Sequence, residues 1–301
     1  MSGYIETLVN SYKGYASYLW NTITNPFPEG DLNYFYFLIV LSLIVWGLEI
    51  VFPWRKKQAI IRKDFWLDGF YMFFNFFIFN LLLFVALSDV SIQFLNNILA
   101  PIGYSDGHLF DTSSWPVALQ LLAFFLISDF VQWNVHVLLH RIPFLWQFHK
   151  VHHSVKEMGF AAHVRYHFGE TFIYNTFKYI LLSMIFGFNI QLAFIVHGIA
   201  ITIGHLNHAN IGWDYGPLKY IFNNPKMHIW HHAKELPQSH PFGMNYGISL
   251  SVWDYIFKTN YIPHEGRDIE LGFENDENYA PTFWQQLIAP FRRKSTSSRQ
   301  G

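Results

Sequence analysis

The sequence predicts an all-α fold: an integral membrane helical bundle that carries a histidine-rich helical cap on its cytoplasmic side. Three observations predict it. Apolar runs long enough to cross a bilayer recur in the first two thirds of the 301 residues. Only 14% of residues are charged while 51% are hydrophobic, whereas a soluble chain has about a quarter charged. Sixteen histidines stand against no cysteine.

The first apolar run, Tyr34 to Ile50, extends to Phe52 and holds one charge, Glu49. The second, Phe65 to Leu87, holds Asp68 near one end. A span needs about 20 mostly apolar residues, and both approach that length. Pro116 to Gln132 is a third run whose helix continues toward His140, and Thr171 to Gly204 reads as a short helical hairpin. Ahead of them, Tyr4 to Trp20 mixes aromatics with Glu6 and Lys13, as interfacial helices do. Buried core helices of a large soluble protein are the alternative reading of these runs.

Orientation follows from lysine and arginine. The link Pro53 to Asp64 (PWRKKQAIIRKD) holds five of them, the first 33 residues hold Lys13 alone, and the link Ser88 to Trp115 holds none. The first link is therefore expected on the cytoplasmic side, and counting spans from there puts every dense histidine cluster on that same side. The chain is expected to divide into residues 1–115 (an interfacial segment and two transmembrane helices), residues 116–261 (the histidine-rich region) and a polar C-terminal tail, 262–301. A net charge of −1 gives nucleic acid no electrostatic attraction. The missing cysteines exclude disulfides, thiolate metal sites and cysteine nucleophiles.

The histidines cluster as HVLLH (His136, His140), HKVHH (His149, His152, His153), HVRYH (His163, His167), HLNH (His205, His208) and HIWHH (His228, His231, His232). Residues i, i+3 and i+4 share one side of a helix, so packing such sides together would build an all-nitrogen cage inside a helix bundle. Asp129, Trp133, His136 and His140 fall on one helical stripe, which makes Asp129 a candidate acceptor for an imidazole N–H or, equally, a polar residue at a helix contact.

Imidazole suits zinc, copper, iron and nickel. At least eight histidines have ligand spacing, enough for two ions. No HExxH motif, GxSxG elbow or Gly-rich phosphate loop occurs. Three alternatives stay open at this level: a membrane zinc hydrolase, a histidine-lined metal or proton transporter, and a pH sensor.

With these motifs in place, the chain resembles the fatty acid hydroxylase / sterol desaturase family of membrane non-haem diiron enzymes. The resemblance is carried by HVLLH, HRIPFLWQFHKVHHS, RYHFGE (Arg165 to Glu170), NHAN (Asn207 to Asn210), NPKMHIWHH and NYGISLSVWDYIF (Asn245 to Phe257), and it runs from about Asp129 to Tyr261. It implies two iron ions held by His136, His140, His149, His152, His153, His228, His231 and His232. It also implies a further pair from the helix leading into NHAN. His208 matches that pair; relatives with an HxxxH pair would place its partner at 204, which is glycine here, and His205 is taken instead. His167 sits in a segment similar to the family's RxHPxE element, with Phe168 replacing proline, and is implied as an alternative ligand or a support for one. Tyr246 and Asp254 are candidates for supporting or packing roles.

The implied activity is O2-dependent attack on an unactivated C–H bond of a lipid, giving an alcohol or, by loss of a second hydrogen, an alkene. Electrons would come from an external donor, a cytochrome b5-like or ferredoxin-type carrier with its reductase, because no nucleotide fold is visible. Lys150, Lys226 and Arg141 could dock such a carrier or face lipid head groups. Trp146, Phe148 and Trp230 could line a lipid tunnel or anchor helices at the interface.

Overall fold

The computed structural model describes residues 2–28, 33–77, 93, 96–98, 100–102, 110–175, 177–178, 182, 186 and 190–292. Among these the chain is helical with no strand, and only two isolated β-bridges form, Phe222 with Leu250 and Ala233 with Leu271. The link 88–115 and the second half of the run 65–87 lie largely outside the described residues, as does the turn of the expected hairpin and the end of the tail, 293–301.

Helix α1 (Ser2–Thr24) leads to α2 (Tyr34–Val51), which Asn33 caps by accepting from the backbone N–H of Phe35 and Tyr36. An 18-residue helix is about 27 Å long, close to the apolar thickness of a bilayer. One side of α2 packs inward through Leu38, Leu41, Ser42 and Val45, while Val40, Leu43, Ile44 and Val51 stay exposed. Helix α3 (Phe65–Phe73) begins the second run. Helix α4 (Val117–Arg141) is the third expected run, continuous to the HVLLH pair. Of the described helices, α2 and α4 are long and apolar enough to cross a membrane.

Pro143 sets the path of the chain after α4. A residue before proline is pushed out of the α region, and Ile142 is extended at φ −94°, ψ 114°. Proline at the first helical position then starts α5 (Pro143–His153). The chain thus breaks for one residue and turns back, bringing His149, His152 and His153 beside His136 and His140. Next come a 3-10 segment, Phe160–Val164, then α6 (Phe168–Asn175) and α7 (Ile190–His208). Helix α8 (Pro225–His231) starts in the same way as α5, with proline at its first position, and with Asn224 accepting from Met227 N–H. The short helices α9 (Val252–Ile256) and α10 (Phe283–Ile288) close the described chain.

The charges inside apolar runs have structural work. Glu49 accepts at 2.8 Å from the N–H groups of Phe160 and Asn210, tying the end of α2 to the 3-10 segment and to the loop after α7. Asp68 is fully buried between Arg62 and Arg165, the latter at 3.1 Å, and Arg165 also meets Asp64 at 3.2 Å. Arg62 therefore is not available to head groups, whereas Lys56, Lys57 and Lys63 are exposed. The basic link lies against the histidine region: Trp54 packs with Val155, Met158, Ile229 and Trp230, and Gln58 donates to the carbonyl of Met158 at 2.8 Å.

Residues 262–292, polar enough to suggest a tail, fold back onto the histidine region. Trp230 donates to the carbonyl of His264, Asp276 pairs with Lys156 and Lys234, and Phe283 packs on Tyr71. Replacing Asp68 with alanine would leave two buried guanidinium groups without their shared carboxylate, which costs about 3–5 kcal/mol. The expected outcome is a marked loss of thermal stability of Asp68→Ala in detergent micelles; an unchanged unfolding midpoint would contradict this packing.

Candidate metal centre

Nine histidines converge in two adjoining groups. His136, His140, His149, His153 and His231 form one, and His152, His208, His228 and His232 the other, with ligand nitrogens in each group within 4.8 Å of one another. Helix geometry explains how HxxHH serves both. At about 100° per residue, i and i+4 lie about 40° apart, while i+3 points about 60° to the other side. In α5 the pair His149/His153 faces the first group and His152 the second. In and just after α8 the pair His228/His232 faces the second group and His231 the first. Each triplet thus gives two imidazoles to one group and one to the other, crosswise.

The nitrogens face inward. His136 Nε2 lies 3.0 Å from His149 Nε2, and His153 Nε2 lies 3.1 Å from His231 Nε2. In the second group His208 Nε2 is 3.2 Å from His152 Nε2 and 3.0 Å from His228 Nε2, which is 3.2 Å from His232 Nε2. Backbone carbonyls fix several tautomers from behind: His136 Nδ1–H donates to Tyr246 at 2.6 Å, His231 Nδ1–H to Met244 at 2.8 Å and His208 Nδ1–H to Gly204 at 2.8 Å. With Nδ1 protonated, Nε2 carries the lone pair, the state a ligand needs. Burial, aided by neighbouring imidazoles, holds His149, His152, His153, His228, His231 and His232 well below their ordinary pKa, so they are neutral at pH 7. Buried neutral nitrogens with converging lone pairs fit a pair of transition-metal ions.

The other expected site residues are placed differently. His205 is in neither group: three residues before His208, it is rotated about 60° from it and faces Ser42 of α2 and His163. His167 is also outside both groups, because its Nε2 meets the carbonyl of Leu287 at 2.9 Å and its Nδ1 accepts from Gly169 N–H at the start of α6. Asp129 takes no imidazole proton; it accepts from Trp253 Nε1 at 2.9 Å and from Ser249 N–H. Asp254 gathers four donors, namely Trp133 Nε1, Thr259 Oγ1 and the N–H groups of Tyr246 and Gly247. Burial pushes the Asp254 carboxyl up, and these hydrogen bonds oppose that shift. Tyr246 acts through its backbone on His136, and its ring lies 5.1 Å from that of His140. Asn245, at φ 55°, adopts a left-handed conformation that asparagine tolerates, and donates to the carbonyls of Met227 and Tyr261. NYGISLSVWDYIF is therefore a clamp that positions the His136 and His231 acceptors.

Glu170 is the residue that spacing did not single out. It is fully buried, and its Oε1 lies 3.0 Å from His149 Nδ1. Burial pushes its carboxyl well above the ordinary range. An acid on the helix entered through RYHFGE was the only signal for it. Of the aromatics, Trp146 covers the first group, with ring centroids 5.1 Å from His140 and 5.2 Å from His153. Phe148 packs on His167, and Trp230 on His264.

Loss of the groups that orient a metal-bound imidazole costs about 10–100-fold in metal affinity. Asp254→Ala frees Tyr246 and hence the acceptor of His136, so metal retention during purification should fall by that order. Retention equal to that of the unaltered protein would contradict the clamp.

Residues 121–259 match the family described as fatty acid hydroxylase. Ornithine lipid hydroxylase OlsE of Rhizobium tropici is 32% identical over 180 residues, which cover 60% of this chain and 53% of that protein. Alkylglycerol monooxygenase of Xenopus tropicalis is 24% identical over 54% of this chain and 35% of its own length. The Homo sapiens alkylglycerol monooxygenase is 26% identical over 45% and 29% respectively. The chain thus spans about half the length of the first of these relatives and about a third of the others. No solved structure matches. Every histidine of the two groups lies within the stretch, residues 121–259, that is similar to the fatty acid hydroxylase family.

Proposed function

We propose that the chain is a multi-pass membrane diiron oxygenase that hydroxylates an unactivated C–H bond of a lipid, using O2 and electrons from an external carrier. The observation that carries this reading is the pair of adjoining all-histidine groups, five and four imidazoles sharing one buried wall. His153 and His232, one from each group, stack with centroids 4.5 Å apart. A single structural or hydrolytic zinc needs only three or four ligands. A transport path would spread ionisable groups across the depth of the membrane rather than gather them at helix ends. Hydroxylation is favoured over desaturation because the named relatives are a hydroxylase and monooxygenases of lipids.

Two bound irons would supply redox chemistry and the open coordination positions that dioxygen requires, with the electrons coming from the carrier. The protein's part is positional. His136, His140, His149, His153 and His231 would hold one ion, and His152, His208, His228 and His232 the other. The carbonyls of Tyr246, Met244 and Gly204 keep Nδ1 protons on His136, His231 and His208, so Nε2 stays available. Glu170 Oε1 lies 3.0 Å behind His149, on its Nδ1 side, leaving Nε2 to face the group. Trp146 and Tyr246 cover the first group with apolar ring faces, which helps exclude water from the reacting centre. Lys56, Lys57 and Lys63 are exposed on the link that packs beside the histidine region, and the positive-inside preference supports a cytoplasmic side for both. There an acidic carrier could dock among Arg141, Lys150 and Lys226; Lys226 already faces Asp214 at 3.8 Å.

His152→Ala and His231→Ala each remove a ligand from one group. Both variants are expected to stay in the membrane fraction and to lose activity entirely. Lipid extracts from a host making the unaltered protein should contain a hydroxylated species, one oxygen heavier, that hosts making either variant lack. Full activity of an iron-loaded His152→Ala protein would overturn the assignment.

A further inference from the structure

The two groups are unequal, and the difference is traceable to one position. Helix α4 gives the first group two imidazoles one turn apart, His136 and His140. Helix α7 gives the second group His208, and one turn earlier stands Gly204, with no side chain to offer. That place is filled from elsewhere. A Cβ on Gly204 would lie 2.2 Å from both Cε1 and Nε2 of His163. The imidazole of His163, carried by the 3-10 segment Phe160–Val164, thus occupies the volume of a side chain at 204.

Its surroundings match those of a ligand. His163 is buried, and its ring centroid is 5.0 Å from that of His208. Centroids within the second group are 4.2 Å apart for His208 and His228 and 5.2 Å apart for His208 and His232. On its far side, His163 Nδ1 lies 2.9 Å from His205 Nδ1, and His205 Nε2 lies 3.4 Å from Ser42 Oγ. Both nitrogens of His205 are thus engaged, and its ring also donates to the carbonyl of Ile201 one turn earlier. With its Nδ1 held against His205, His163 turns Nε2 toward Gly204.

We propose that His163 is the fifth ligand of the second metal group, standing in for a side chain at position 204, and that His205 is a positioning residue that holds its ring from the far side. The inference rests on the dimetal reading above. His163 Nε2 is not among the four nitrogens within 4.8 Å of one another, so ligation requires its side chain to swing toward His208, across the bare face of Gly204.

The test is iron per chain, with Mössbauer spectra of protein grown on iron-57. Four proteins are compared: the unaltered chain, His163→Phe, His163→Gln and the double variant His163→Ala with Gly204→His. Phenylalanine keeps the ring's volume but removes the nitrogen, so His163→Phe should fall from about two irons to about one, with loss of one spectral component. The double variant offers the imidazole from α7 and should regain the second iron. If His163→Phe accumulates poorly, His163→Gln and the double variant carry the same comparison. Two irons with an unchanged spectrum in either single variant would overturn the assignment of His163 alone. An unaltered protein holding zinc or no iron would overturn the dimetal reading and this inference with it.

Discussion

Burial of many imidazoles in one small volume is the constraint on which the rest of the structure depends. Ten buried or nearly buried histidines, the nine of the two groups and His163, lie beside one another. Burying so many imidazoles together is costly, because converging lone pairs cannot satisfy each other by hydrogen bonding. Such an arrangement is stable when something cationic sits among the nitrogens, because metal binding contributes to folding free energy. The surrounding chain is arranged to hold the rings still: backbone carbonyls behind Nδ1, a left-handed asparagine at 245, and Asp254 gathering four donors behind the loop that carries those carbonyls.

That arrangement also accounts for the placement of polar residues in apolar segments. Glu49, Asp68 and Asp129 each accept bonds from segments distant in sequence. They join the apolar helices to the histidine region, so the parts that fit a bilayer and the parts that hold the nitrogens form one packed body. The crosswise use of the two triplets has the same effect, because α5 and α8 each contribute to both groups. Neither group can then be distorted without disturbing the other.

Much of the site was legible in the sequence because helical periodicity is a strong constraint on direction. HxxHH, present twice, states through 100° per residue that each triplet gathers its nitrogens on one side of a helix, whereas the crosswise split between groups and the break at Pro143 emerged from the structure. Periodicity could not say which partner each stripe meets. Asp129 shares a stripe with His136, yet an indole of α9 reaches it. His205 is near His208 in sequence but rotated away toward α2. Glu170 lies outside the spaced clusters, and the i, i+4 spacing of His163 and His167 does not act as a helical stripe because His163 sits in a 3-10 segment; their positions depend on how the segment after α5 folds back. The occupation of the space beside Gly204 is a tertiary fact with no local signature. The fold of residues 262–292 onto the site was equally hidden, since their polarity resembles that of a solvated tail.

The central claim is that two irons share one histidine cage. X-ray absorption at the iron edge of the purified, membrane-extracted protein tests it most directly. The account predicts an imidazole-dominated first shell, with its multiple-scattering pattern, together with an iron–iron scattering path. An isolated metal with no metal–metal path, or a shell dominated by oxygen, would contradict it.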